Sequence, residues 1–267
     1  MLTFSAVYKR LARVPGTWVV LLLFGMLSLL RGEDVLFFGD SFTYVNDVPA
    51  MVEAIAASKG KTVVTMAVTK GGMSWAYHLK QPATDAALKS KAWNWVVLQD
   101  YSLEATHATK VDDFMSNGQV FDDRIAQESP QAGIVLYETW AYGAKHPIFK
   151  GTSTAPAKFT GPDEMYGEIH QNFAALQAVL QARDPKRQVR IAPVGTAFAQ
   201  CVREHPEIHL YVSDFKHPSP AGSYLAALVI YATLTGDSPQ GAVDGRKVDA
   251  AADKILREVA AEVVGKK

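Results

Sequence analysis

Apolar positions in this chain alternate between two patterns. Short runs dominated by strand formers, Val35–Phe38, Thr62–Ala67, Trp95–Leu98, Gly133–Tyr137 and Val189–Val194, predict buried β-strands. Between them lie helix-like stretches. Asn46-Asp47 supplies a cap, Pro49 falls in the first turn, and Met51 and Ile55 give that helix its apolar face before Gly60 ends it. Gly71-Gly72 breaks the chain after the second strand, and a helical segment over Thr84–Lys91 leads into the third. Val111–Glu128 reads as a surface helix. Asp163–Arg183 places Tyr166, Ile169, Phe173, Leu176 and Leu180 on one face. Ser219–Leu234 is apolar over most of its surface and is predicted to pack deeply, and Lys247–Val264 repeats apolar residues at helical spacing up to Gly265.

Strands separated by helix-sized segments imply βαβ crossovers and a mainly parallel, five-stranded sheet in an α/β protein. A chain of 267 residues suits one such domain. The long irregular stretch 140–161 is either a wall of a site or a plain surface insertion. With 27 basic and 27 acidic residues the formal net charge is zero, so no basic excess points to nucleic acid. The single cysteine, Cys201, excludes an internal disulfide and a Cys-x-x-Cys site, and reads as a small buried residue. The histidines show no paired metal spacing, and Pro206 separates His205 from His209, so no metal and no cofactor is predicted.

The N-terminus carries Lys9, Arg10 and Arg13 ahead of a charge-free run, Val14–Leu30. A positive patch before an apolar segment reads as a signal peptide or an uncleaved anchor over residues 1–32, with the domain at 33–267 exported. A membrane partner is then expected only through that segment, if it is retained.

Candidate chemistry starts at Gly39-Asp40-Ser41, just past the first strand. Open α/β sheets carry their sites outside the carboxyl ends of strands, which makes Ser41 a candidate nucleophile; an ordinary turn is the alternative. Near the other end, Asp214-Phe215-Lys216-His217-Pro218 sets an acid three residues before a histidine. Asp214 can take the imidazole Nδ1 proton and leave His217 Nε2 as a base; a loop histidine satisfied by a backbone carbonyl is the bland reading. Tyr137-Glu138-Thr139-Trp140 follows the fourth strand: Glu138 is a candidate to orient a neighbour, and Trp140 to stack on substrate or to pack in the core.

The order of these blocks resembles the SGNH (GDSL-type) hydrolase family. Phe37-Phe38-Gly39-Asp40-Ser41-Phe42-Thr43 is similar to its first block, Gly71-Gly72 to its second and Asp214-Phe215-Lys216-His217-Pro218 to its last, over about residues 34–236. The resemblance implies a flavodoxin-like three-layer α/β/α sandwich and hydrolysis of an O-acyl ester, on a small molecule or a glycan. It further implies Ser41 as nucleophile, His217 as base and then acid, Asp214 as its orienter, and the N–H groups of Ser41 and Gly72 as oxyanion donors. The family's Gly-x-Asn-Asp block is absent. Val97-Leu98-Gln99-Asp100 stands in its place, so Gln99 is the expected third donor, with Ser102 or a backbone amide as the alternative. Tyr44 and Trp75 flank the two oxyanion blocks and are candidates to shape an acyl pocket, which their rings would narrow to suit a short acyl group such as acetyl. Two other functions share these residues: a non-catalytic carbohydrate- or acyl-binding module, and an O-acyltransferase using the same triad.

Overall fold

The computed structural model describes residues 32–243 and 248–265. The expected signal or anchor segment, apart from Gly32, lies outside the described residues. Among those residues no helix is long and apolar enough to cross a membrane.

All five predicted strands form, and all pair in parallel. They are β1 (Glu33–Gly39), β2 (Val63–Thr69), β3 (Trp95–Leu98), β4 (Gly133–Tyr137) and β5 (Val189–Ala192), in the order β2-β1-β3-β4-β5. That is the flavodoxin-like order, whose direction reverses between β1 and β3 and opens a crevice at their carboxyl ends. The strands read as continuous apolar runs because both sheet faces are covered: Val35–Phe38, Val96–Leu98 and Ile134–Tyr137 are wholly buried.

Helices cover both faces. In one group α2 (Val48–Ser58), α8 (Pro220–Thr235) and α9 (Ala250–Gly265) pack together; in the other, α3 (Trp75–His78) and α4 (Pro82–Lys89) lie against α5 (Val111–Glu128), which packs on α6 (Pro162–Arg183). A short α1 (Ser41–Tyr44) follows β1 directly. The predicted cap at Asp47 holds, and Ser219 forms a second cap that the sequence reading did not include. Asp47 Oδ1 accepts from Ala50 N–H at the start of α2, and Ser219 Oγ accepts from Gly222 N–H at the start of α8. From Gly222 to Leu234 every residue of α8 is buried, as its all-round apolar sequence requires.

One prediction needs correction. The fifth strand stops at Ala192, because Pro193 has no N–H for the ladder, and Val194–Glu204 forms a further helix, α7. Val194, Ala197, Phe198 and Cys201 are its buried stripe, at the helical spacing. The stretch 140–161 contains one 3₁₀ turn, Pro147–Phe149. It begins buried, at Trp140–Tyr142, and becomes exposed from Gly151 to Lys158.

Candidate active site

Ser41 stands at the first turn of α1, where β1 ends. Asp40 caps that turn, its Oδ1 accepting from Phe42 N–H at 2.9 Å. Gly39 is required here, since a Cβ would come within 2.2 Å of Thr43 Oγ1 and 2.6 Å of Gln99 Oε1.

His217 and Asp214 come from the loop ahead of α8. His217 C=O accepts from Val212 N–H at 3.0 Å, and Tyr211 bridges Pro218, so the segment between closes on itself. Phe215 adopts a left-handed backbone conformation, φ 57°, which a bulky side chain disfavours. The strained turn is held by Gly143 N–H donating to Phe215 C=O at 2.7 Å. Within it, Asp214 Oδ1 accepts from the N–H groups of Lys216 and His217, both at 2.9 Å, and Asp214 Oδ2 accepts from His217 Nδ1 at 2.6 Å.

Ser41 Oγ lies 3.0 Å from His217 Nε2. An ionised Asp214 can only accept, so the Nδ1 proton is on the ring and Nε2 offers a lone pair to the Ser41 hydroxyl. Burial tends to raise the Asp214 pKa. The bonds from the His217 ring and the two N–H groups outweigh it and bring it down to about 2. The site is open: the Asp214 and His217 side chains are 47% and 34% exposed.

Trp140 supports this loop from beneath. Its ring is sandwiched between Phe42 at 4.1 Å and Phe198 at 4.2 Å, and its Nε1–H donates to Lys216 C=O at 3.0 Å. It is fully buried, so it braces the nucleophile turn against the base loop rather than touching substrate.

The expected third oxyanion donor is not where the resemblance puts it. Gln99 is fully buried, and its amide nitrogen donates to Asp40 Oδ1 at 2.9 Å and to Asp100 C=O at 2.5 Å. Its Oε1 accepts from Asp40 N–H and Thr43 Oγ1, both at 2.8 Å. The partners fix the orientation, since Asp40 N–H can only donate and Asp100 C=O only accept. Both amide hydrogens are therefore engaged, and Gln99 ties the Ser41 turn to the end of β3 instead of facing the site. Ser102 is no replacement, being buried with its Oγ 2.7 Å from Tyr142 Oη. The N–H groups of Ser41 and Gly72 make no hydrogen bond among the described residues. Gly72 holds φ +69°, which its lack of a Cβ permits.

Two more candidates are buried away from any substrate. Trp75 stacks on Phe114 at 5.2 Å in the core. Glu138 is fully buried and does orient neighbours, but on the far side of β4. Its Oε1 accepts from His170 Nδ1 at 2.8 Å, and its Oε2 from Thr196 N–H at 2.9 Å. Tyr44 remains at the surface, 47% exposed, and a Cβ on Gly71 would come within 2.7 Å of its Oη. Cys201 is buried in α7, which pushes its thiol up to about 12. No group of His, Cys, Asp and Glu among the described residues is arranged to hold a metal ion.

Sequence reasoning missed Asp100. It is buried, and its Oδ1 accepts from Trp75 N–H at 2.6 Å and Tyr101 N–H at 2.9 Å, so it ties the chain following Gly71-Gly72 to the end of β3. Burial pushes its carboxyl well above the usual range. The available signal was its place just past a strand's carboxyl end.

A parallel sheet in this order, with a serine, a histidine and an aspartate joined at the carboxyl edge, is the SGNH hydrolase fold. No family model and no curated protein matches the sequence. Among solved structures, the chain is similar to a DUF4886 family protein from Bacteroides uniformis, with 17% identity over 88% of this chain and 96% of that one and a TM-score of 0.71. It is also similar to the lipase/acylhydrolase from Enterococcus faecalis, at 14% identity, 74% and 93% coverage and a TM-score of 0.55. A variant of an acetyl xylan esterase from Geobacillus stearothermophilus matches at 14% identity, 77% and 95% coverage and a TM-score of 0.53.

Proposed function

We propose that this protein is a serine ester hydrolase acting through an acyl-enzyme. The observation that carries the reading is the 3.0 Å approach of Ser41 Oγ to His217 Nε2, with Asp214 on the opposite ring nitrogen. Ser41 Oγ attacks the ester carbonyl carbon as its proton passes to His217 Nε2. The carbonyl oxygen becomes an oxyanion facing the N–H groups of Ser41 and Gly72. Collapse breaks the bond to the alkoxy oxygen, which leaves with the proton from Nε2, and the acyl group stays on Ser41. Water then repeats the sequence: Nε2 takes its proton, the acid departs, and the proton returns to Ser41 Oγ.

The finer reading is a short O-acyl group, such as acetyl, on a carbohydrate alcohol. It is supported by the fold shared with the acetyl xylan esterase and by the open site, which admits a bulky alcohol.

The test is hydrolysis of para-nitrophenyl acetate together with labelling by a fluorophosphonate. Ser41→Ala is expected to abolish labelling and to lower kcat by roughly 10³–10⁶-fold with the fold intact by circular dichroism. A folded wild-type protein that neither turns over the ester nor takes the label would sink the proposal.

A further inference from the structure

Lys216 stands between Asp214 and His217 and takes no part in the chemistry above. Its main chain is held at both ends, by Asp214 Oδ1 on its N–H and by Trp140 Nε1–H on its carbonyl. Its ammonium lies over two aromatic faces, 5.0 Å from the Tyr101 ring centroid and 5.4 Å from that of Tyr142. Tyr142 is itself buried and fixed through Ser102. Lys61 and Lys91 find aspartates at 2.8 and 2.6 Å, whereas Lys216 makes no ion pair among the described residues.

Lys216 is half-buried, and its ammonium is held by two rings and joined to no carboxylate in an ion pair, so its charge is only partly compensated. Its field reaches the site. Burial raises the Asp40 pKa and Lys216 opposes that; burial lowers the His146 pKa and Lys216 adds to it. An anion arriving at the site would complete the cation's coordination, using N–H donors the tyrosines leave free.

We propose that Lys216 is a specificity-determining residue that reads a carboxylate on the alcohol portion of the ester. This rests on the serine-ester reading above. The leaving oxygen takes its proton from His217 Nε2, so the alcohol lies on the His217 side of Ser41, where Lys216 is anchored. The substrate class is therefore O-acylated alcohols that bear a carboxylate, such as an acylated uronic acid or hydroxy acid.

The experiment compares para-acetoxybenzoate with its neutral methyl ester as substrates, each rate normalised to hydroxide hydrolysis. The readout is the ratio of kcat/KM values, anionic over neutral, rather than either rate. In Lys216→Met the ratio is expected to fall about tenfold from the wild-type value, equivalent to about 1.4 kcal/mol. Lys216→Arg should keep most of it, and raising the salt should shrink it in the wild type. A ratio unchanged in Lys216→Met overturns the proposal, as does an equal loss on both esters.

Binding of para-acetamidobenzoate, which has an amide in place of the ester, is measured in parallel by calorimetry against its methyl ester. Tighter binding of the carboxylate to the wild type than to Lys216→Met supports the cation's role even if neither ester is cleaved. That result, with no fluorophosphonate label on Ser41, would remove the hydrolase reading alone. No carboxylate-dependent difference in binding overturns the role of Lys216 whatever the hydrolysis shows.

Discussion

At the scale of single residues, the site divides into groups that would react and groups that hold them. Asp214 belongs to the second kind. With its pKa depressed to about 2, it is ionised in the folded protein across the ordinary working range. The sign follows from linkage: a depressed carboxyl contributes stability above its unfolded value of about 3.9, and that stability is lost as pH falls through about 2. The acidic limb of a kcat/KM profile is therefore expected to belong to a group other than Asp214. Asp214→Asn should lower kcat roughly 10²–10⁴-fold by unsettling the imidazole tautomer. A wild-type limb centred near 4 that vanishes in Asp214→Asn would contradict this.

Gln99 gives a sharper residue-scale test, because its two possible roles leave different traces. As the brace of the Ser41 turn, its replacement by Leu orphans Asp40 N–H and the Thr43 hydroxyl, at about 1–3 kcal/mol for each buried group. Gln99→Leu should therefore lower stability to urea by about 2–6 kcal/mol and reduce activity as well. An oxyanion donor would instead cost kcat at nearly unchanged stability. The urea midpoint decides between the two.

At the scale of elements, Trp140 links the turn after β1 to the loop before α8. Phe42 of α1, Trp140 after β4 and Phe198 of α7 form one stack, and the indole N–H reaches the base loop at Lys216. Trp140→Ala is expected to destabilise by about 3–5 kcal/mol, the usual cost of emptying an aromatic site. Trp140→Phe keeps a ring and removes the hydrogen bond, about 0.5–1.5 kcal/mol. Its mark should be a lower kcat with KM little changed, since the loop carrying His217 loses an anchor. A variant with wild-type kcat would show that the loop's own strained turn and its bond to Gly143 suffice.

At the scale of the whole molecule, Glu138 joins the end of β4 to α6 through His170 and to the start of α7 through Thr196. The hydrogen bond to Glu138 raises the His170 pKa. A raised histidine contributes stability that is complete below its unfolded value of about 6.5 and is lost as pH rises through the folded one. The stability difference between wild type and His170→Gln should therefore shrink between about pH 5.5 and pH 8.5. The change should stay under about 1 kcal/mol, because the ring is 56% exposed and solvent screens the pair. Urea titrations of both proteins at the two pH values measure it, and a difference that grows with pH would reverse the assignment.

Much of this was legible in local pattern. A parallel strand buried on both faces must be apolar throughout, so Val35–Phe38 and Ile134–Tyr137 declared themselves. The cap at Asp47 did so through one side-chain bond to a nearby N–H. Asp214 and His217 lie within one turn of chain, and their pairing needs nothing distant. What only the tertiary structure decided was the direction of residues past the strand ends. Gln99, Trp75, Glu138 and Trp140 all stand near the carboxyl edge in sequence, yet the packing of α1, α5, α6 and α7 turns each one inward. Periodicity states which face of its own element a residue occupies and is silent on what lies beyond that element's end. The meeting of Ser41 with His217, 176 residues apart, and the lone ammonium of Lys216 beside them are likewise products of the fold, because each depends on partners that no local spacing brings together.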